Sequence, residues 1–237
     1  MAQAGGWKTG AIAGVAGLLI GAAAVGGYYG FAAPDRAQTE AIVRDYILAH
    51  GEILPEAMQR LQQRQSAASV GRNRAALEAP FHGAWAGAAD GDVVLVEFFD
   101  YACAYCRASN PDVERLLRED SRLKVVWREL PVLGPASEAA AHASLAAAQA
   151  GRFRAFYQRM FDLGRPSETA IAQAASETGV AAAAPTPEGR AELARNVNLA
   201  RQIGATGTPT FVVGNRVFEG AVGYKTLKDA ITAARAG

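Results

Sequence analysis

Hydrophobic and polar positions alternate along this chain in four different ways. From Thr9 to Pro34 there is no charged residue, and the apolar run GAIAGVAGLLIGAAAVGGYYGFAA lies between Lys8 and the pair Asp35-Arg36. It has no polar face, and roughly 20 apolar residues match the thickness of a bilayer. Residues 1–34 therefore read as a signal anchor or signal peptide, held in the inner membrane through residues 10–33. Phe31-Ala32-Ala33 is a poor cleavage site because a bulky residue stands where a small one belongs, and Lys8 holds the N-terminus on the cytoplasmic side. The expected location is periplasmic or extracytoplasmic, with the chain anchored by this helix.

In residues 35–78 apolar positions recur at helical spacing. Ile42, Val43, Tyr46, Ile47 and His50 line one face of a helix that stops near Gly51, and Pro55 fits the first turn of a second helix carrying Met58 and Leu61. So narrow a stripe cannot bury itself, so this accessory segment is expected to find a partner surface, a second copy of the chain included. Residues 79–92, APFHGAWAGAADGD, are Gly- and Ala-rich and read as a linker.

The last regime, residues 93–237, mixes both periods. VVLVEFF (93–99) is a buried strand by length and β-branching. Helical sequence runs from Cys103 to about Glu119 across Pro111, and LKVVWREL (123–130) is a second strand, so the two strands are expected to pair in parallel. A helical insertion over about 137–203 follows, with breaks at Gly151, Gly164-Arg165-Pro166 and Pro185-Thr186-Pro187. TFVVG and RVFEG make a hairpin, and a last helix runs from Tyr224 to Ala234. The fold class is α/β: βαβ, a helical insertion, then ββα.

Composition narrows the function little. Half of the 237 residues are hydrophobic and 20% are charged, which supports a sizeable core. The net charge is +1 with Lys and Arg spread out, so no nucleic-acid partner is expected.

The two cysteines matter more. Cys103 and Cys106 are the only ones, three apart, at a strand-to-helix junction. A zinc site needs four ligands, and only His50, His82 and His142 are available, scattered; Arg107 stands where a c-type haem needs His. A staple closing so small a loop stabilises little. An inert buried pair remains a competing reading, since free Cys is often a core residue. A thiol at a helix N-terminus sits by exposed N–H groups that favour thiolate, and in an oxidising compartment such a pair does disulfide chemistry. Cys103 is then the exposed attacking cysteine and Cys106 the buried resolving one. Thr208-Pro209 stands directly before a strand, where a trans Pro is awkward; with the CxxC and this layout, a cis bond is expected, leaving the Thr208 backbone for an extended substrate.

FFDYACAYC, PVLGPAS, the helical insertion and TGTPTFVV together resemble the DsbA-type thiol–disulfide oxidoreductases of the thioredoxin fold. VRDYILAHGEILPEAMQRLQ resembles the N-terminal segment of the copper-sensitivity suppressor (ScsC-like) branch, some of whose members oligomerise and act as isomerases. The resemblance implies Cys103 and Cys106 as the redox pair, Pro209 as the cis-proline with Thr208 before it, and Glu97 as a buried acid modulating proton transfer. A carboxylate salt-bridged at a strand edge is the other reading of Glu97. Ala104-Tyr105 replaces the Pro-His of the best-known members, which removes a histidine cation that would stabilise the thiolate; Tyr105 fits an apolar rim for unfolded substrate.

The expected function is disulfide formation or isomerisation in exported proteins. The partners are unfolded or misoxidised proteins and a membrane redox partner that resets the pair, and no cofactor or metal is needed beyond the Cys103–Cys106 disulfide. The alternative is a soft-metal (copper) binding protein using the same thiolates.

Overall fold

A computed structural model describes residues 35–180 and 185–236. The anchor expected over residues 1–34 lies outside them, and among the described residues no helix is long and apolar enough to cross a membrane. The chain divides into two compact units, Met1–Gln59 and Arg60–Gly237.

In the first unit α1 (Arg36–Ala49) starts at Asp35, whose carboxylate accepts the Ala37 N–H, and ends at His50, whose N–H reaches the Tyr46 carbonyl. Its apolar stripe stays uncovered: Ile42, Val43, Tyr46 and Leu48 are exposed, as are Leu54 and Met58 beyond the turn. α2 (Ile53–Glu78) begins here with Pro55 in its first turn.

The second unit is built on five strands in the order β1-β3-β2-β4-β5. β2 (Val93–Phe99) pairs in parallel with β3 (Leu123–Glu129), and α3 (Ala104–Glu119) joins them. The insertion is α4 (Pro135–Gln149), α5 (Phe153–Leu163), α6 (Glu168–Thr178) and α7 (Pro187–Ile203). β4 (Thr210–Val213) then runs antiparallel to β2, β5 (Arg216–Glu219) pairs with β4, and α8 (Tyr224–Ala236) closes the chain. Side chains alternate across β2. Leu95 and Phe99 enter a core with Trp127, Phe153, Phe156, Tyr157 and Ile231, while Val96 and Phe98 enter another with Val126, Leu199 and Ile203.

Two sequence expectations fail here. Residues 79–92 are not a free linker: they hold β1 (Trp85–Gly87), antiparallel to β3, and Ala84 is buried in the core. So short a strand is specified by its partner edge, because Trp85 alone among Gly and Ala carries no alternation. Nor does the accessory segment end at residue 78, since the unit boundary falls at 59/60. Val70 and Leu77 lie in the core with Val96, Phe98 and Val126. Buried Arg128 of β3 donates to the carbonyls of Ala76, Leu77 and Ala79 at the end of α2, and to Glu192 and Asn196 of α7. This guanidinium satisfies helix-end carbonyls that would otherwise be orphaned.

Candidate active site

The parallel strand β2 delivers the chain to the cysteines. After Phe99 the backbone turns, and the Asp100 carbonyl accepts the Cys103 N–H at 3.0 Å. Cys103 is the N-cap of α3, and its Sγ accepts the Cys106 N–H at 3.4 Å, so the sulfur occupies the anion-favouring end of a helix. The Cys103 thiol donates to the Thr208 carbonyl at 3.1 Å. The Thr208–Pro209 bond is cis, and β4 starts at the next residue.

Sequence reasoning expected an exposed Cys103. It is 6% exposed and Cys106 is 0% exposed, so both are buried and Cys103 is the more accessible. The Thr208 carbonyl and the helix end enclose the Cys103 sulfur, which leaves only a small window. Ala104 and Tyr105 form the first turn between the cysteines, and Tyr105 is 67% exposed.

Glu97 lies on the central strand β2, fully buried, so the strand-edge salt bridge does not apply. Trp127, its register partner on β3, donates Nε1–H to Glu97 Oε2 at 2.9 Å, while Oε1 has no partner among the described residues. Burial pushes its carboxyl up to about 8, against the Trp127 hydrogen bond and the Arg154 charge, with Glu114 adding to the rise. Arg154 stacks over the Trp127 ring at 4.5 Å and pairs with Glu114 at 2.5 Å. Burial, and then the charge of Glu97, push the Cys106 thiol upward. The inner cysteine therefore resists ionisation beside an acid able to exchange protons near neutral pH.

The structure thus brings Cys103 against Thr208 and Pro209, and Cys106 into the field of Glu97. Trp127, Arg154 and Asp100 join the site beyond the residues that sequence reasoning names. The first two are distant in sequence: Trp127 meets Glu97 through strand register, and Arg154 acts on it by charge from its place over the Trp127 ring. Asp100 stands inside FFDYACAYC, where an Asp beside a tight turn is itself a signal.

The raised acid makes a stability prediction. Between the ordinary value of 4.5 and about 8 the folded state retains a proton on Glu97 that the unfolded chain has lost. Stability contributed by this group therefore falls as pH rises through that window, by at most ~1.4 kcal/mol per pH unit. Glu97→Gln keeps an acceptor for Trp127 and should remove that slope, so the variant gains on the wild type from pH 5 to pH 8 in denaturant unfolding. Parallel curves for the two proteins would rule out a raised carboxyl.

A family model described as a DSBA-like thioredoxin domain matches residues 94–232, and one for the copper resistance protein ScsC N-terminal domain matches residues 35–68. A linker-deletion mutant of ScsC from Proteus mirabilis is 29% identical, with a TM-score of 0.73 over 86% of this chain and 98% of that one. A thioredoxin-like oxidoreductase from Silicibacter pomeroyi is 37% identical, with a TM-score of 0.62 over 65% and 92%. A periplasmic thioredoxin-like protein from Salmonella enterica serovar Typhimurium is 26% identical, with a TM-score of 0.65 over 69% and 96%. Among curated proteins, the Na(+)/H(+) antiporter NhaA 1 of Salinispora arenicola is 30% identical over 64% of this chain. The chain spans only 24% of the length of that relative, and 24% of NhaA 3 from Salinispora tropica.

Proposed function

The chain belongs to the family of DSBA-like thioredoxin-domain proteins, the thiol–disulfide oxidoreductases, and from that premise we propose that it forms and isomerises disulfide bonds in extracytoplasmic proteins. The observation that carries this reading is the asymmetry of the pair. Cys103 caps a helix with its sulfur against the Thr208 carbonyl, while Cys106 is sealed in the field of Glu97.

In oxidation, a client thiolate attacks Cys103 Sγ of the Cys103–Cys106 disulfide and expels Cys106, which takes up a proton from Glu97. A second client thiolate then attacks the client sulfur of the mixed disulfide, forming the client disulfide and releasing Cys103 as thiolate. Two electrons pass from client to pair, and a membrane redox partner removes them to reset it. In isomerisation, Cys103 thiolate attacks a client disulfide, the freed client thiolate re-pairs elsewhere, and Cys103 leaves with no net electron transfer. Should the client stall, Cys106 gives its proton to Glu97, attacks Cys103 and releases the client reduced. No cofactor beyond the cysteine pair takes part. Tyr105 offers an apolar edge to unfolded client beside the attacking sulfur.

A periplasmic location and an N-terminal membrane anchor fit this chemistry, because client cysteines meet an oxidising environment there. The uncovered stripe of α1 (Ile42, Val43, Tyr46) suits self-association through residues 35–78, which would place several cysteine pairs around one client and favour isomerisation.

The test is turnover of a reduced and of a scrambled disulfide protein by the full chain in metal-free buffer. Catalysis that Cys103→Ser lowers to the uncatalysed rate supports the reading. No turnover without added copper would favour the metal-binding alternative.

A further inference from the structure

Asp100 is buried at 1% exposure, and the exchange chemistry makes no use of its carboxylate. Its Oδ1 accepts the Ala102 N–H at 2.8 Å, on the turn leading into Cys103. Its Oδ2 accepts the N–H groups of Val132 and Leu133, at 2.9 and 3.0 Å. One carboxylate thus joins the cysteine turn to the loop after β3, thirty residues on. Glu129, at the end of β3, is buried beside it. Burial holds the Glu129 carboxyl well above the usual carboxylate range, opposed by a Ser144 hydrogen bond and reinforced by the Asp100 charge.

The loop so held is inverted relative to an ordinary surface loop. The backbone N–H groups of Val132 and Leu133 point in to Asp100, while the two residues are 54% and 53% exposed. Such a loop, serving only to connect β3 to α4, gains nothing by presenting two aliphatic side chains to water. Tyr105, the other large exposed apolar side chain near the cysteines, sits on the helix turn that Asp100 also steadies through Ala102 and Cys103.

We infer that Asp100 is a positioning residue for client selection: it fixes Val132 and Leu133 relative to Cys103, so that apolar residues flanking a client cysteine are read together with its sulfur. The inference rests on the disulfide-exchange reading. The occupant of the rim is an extended apolar stretch of unfolded polypeptide, because Asp100 ties the rim to the turn bearing the sulfur that such a polypeptide must reach, and Val132, Leu133 and Tyr105 are all uncharged. Asn in place of Asp100 offers one acceptor oxygen where the loops require two, and its amide N–H₂ would face other donors.

The test uses the oxidised full chain reacted with excess dithiothreitol and with two dithiol peptides, one with Leu and Phe beside its cysteines and one with Ser and Gly. Val132→Ser with Leu133→Ser should raise the half-saturating concentration of the apolar peptide about fivefold or more while its saturating rate and the dithiothreitol rate stay within about twofold. The polar peptide should be unaffected. Asp100→Asn should raise the apolar half-saturation relative to that of the polar peptide, whatever it does to the dithiothreitol rate through the Ala102 turn, and adding it to the pair should change that ratio little further, because both act through one surface. A matched fall in the dithiothreitol rate for the Val132/Leu133 variant, an equal penalty on both peptides, or multiplying effects on the ratio in the combined variant would overturn the assignment. If Asp100→Asn does not fold, the Val132/Leu133 variant decides: an unchanged half-saturation for the apolar peptide overturns it. A wild type inert to dithiothreitol would instead refute the disulfide-exchange reading itself.

Discussion

Replacing Cys106 by Ser is expected to turn the enzyme into a trap. Client attacked by Cys103 then stays bound as a mixed disulfide, because no second sulfur is available to release it, and covalent complexes accumulate on non-reducing gels. Cys103→Ser should trap almost none, and its exchange rate should fall by three orders of magnitude or more, on the order of what loss of an essential nucleophile costs. The reason lies in placement. Cys106 has no exposed surface and its thiol is pushed upward by burial and by Glu97, so it neither meets client nor ionises readily. Cys103 retains a window to solvent at the end of α3. Equal trapping by both variants would show that either sulfur can attack.

Cutting the chain should have effects that depend sharply on where the cut falls. Residues 80–237 should fail to fold. That cut removes Val70 and Leu77 from the core, each worth roughly 1.5–3 kcal/mol of burial. It also removes the three carbonyls that Arg128 satisfies at the end of α2. An unsatisfied buried donor costs about 1–3 kcal/mol and more when charged, and the total approaches the ~5–15 kcal/mol stability of a typical domain. Residues 60–237 keep these contacts and should fold as a monomer that exchanges thiols but isomerises poorly. Residues 35–237, with the stripe of α1, should self-associate and isomerise. Circular dichroism and light scattering on the three fragments check this series. A folded 80–237 would contradict the role given to Arg128, and a monomeric 35–237 would reassign α1 as something other than an assembly surface.

Much of this architecture could be read from the sequence. VVLVEFF is apolar on both faces apart from Glu97 and so declares a central strand, and the breaks at 151 and 164–166 lie within two residues of the helix ends they separate, whereas α6 stops at Thr178, well before Pro185. The cysteines, Thr208 and Pro209 carried their own chemistry in their spacing. What sequence did not disclose depends on register and on partners. Trp85–Gly87 becomes a strand only because the β3 edge pairs with it. Val70 and Leu77 look like a thinning helical stripe until the sheet face that covers them is known. Glu97 reads equally as a surface or a buried acid until Trp127 falls opposite it on β3. The anchoring of Val132 and Leu133 by Asp100 joins loops that no local pattern connects.

Which sulfur attacks client is decided by quenching wild-type turnover of a scrambled disulfide protein with acid, alkylating free thiols, and mapping the covalent intermediate by mass spectrometry. Client should be found joined to Cys103, with the alkyl label on Cys106. Client joined to Cys106, with the label on Cys103, would contradict the role given to Cys103.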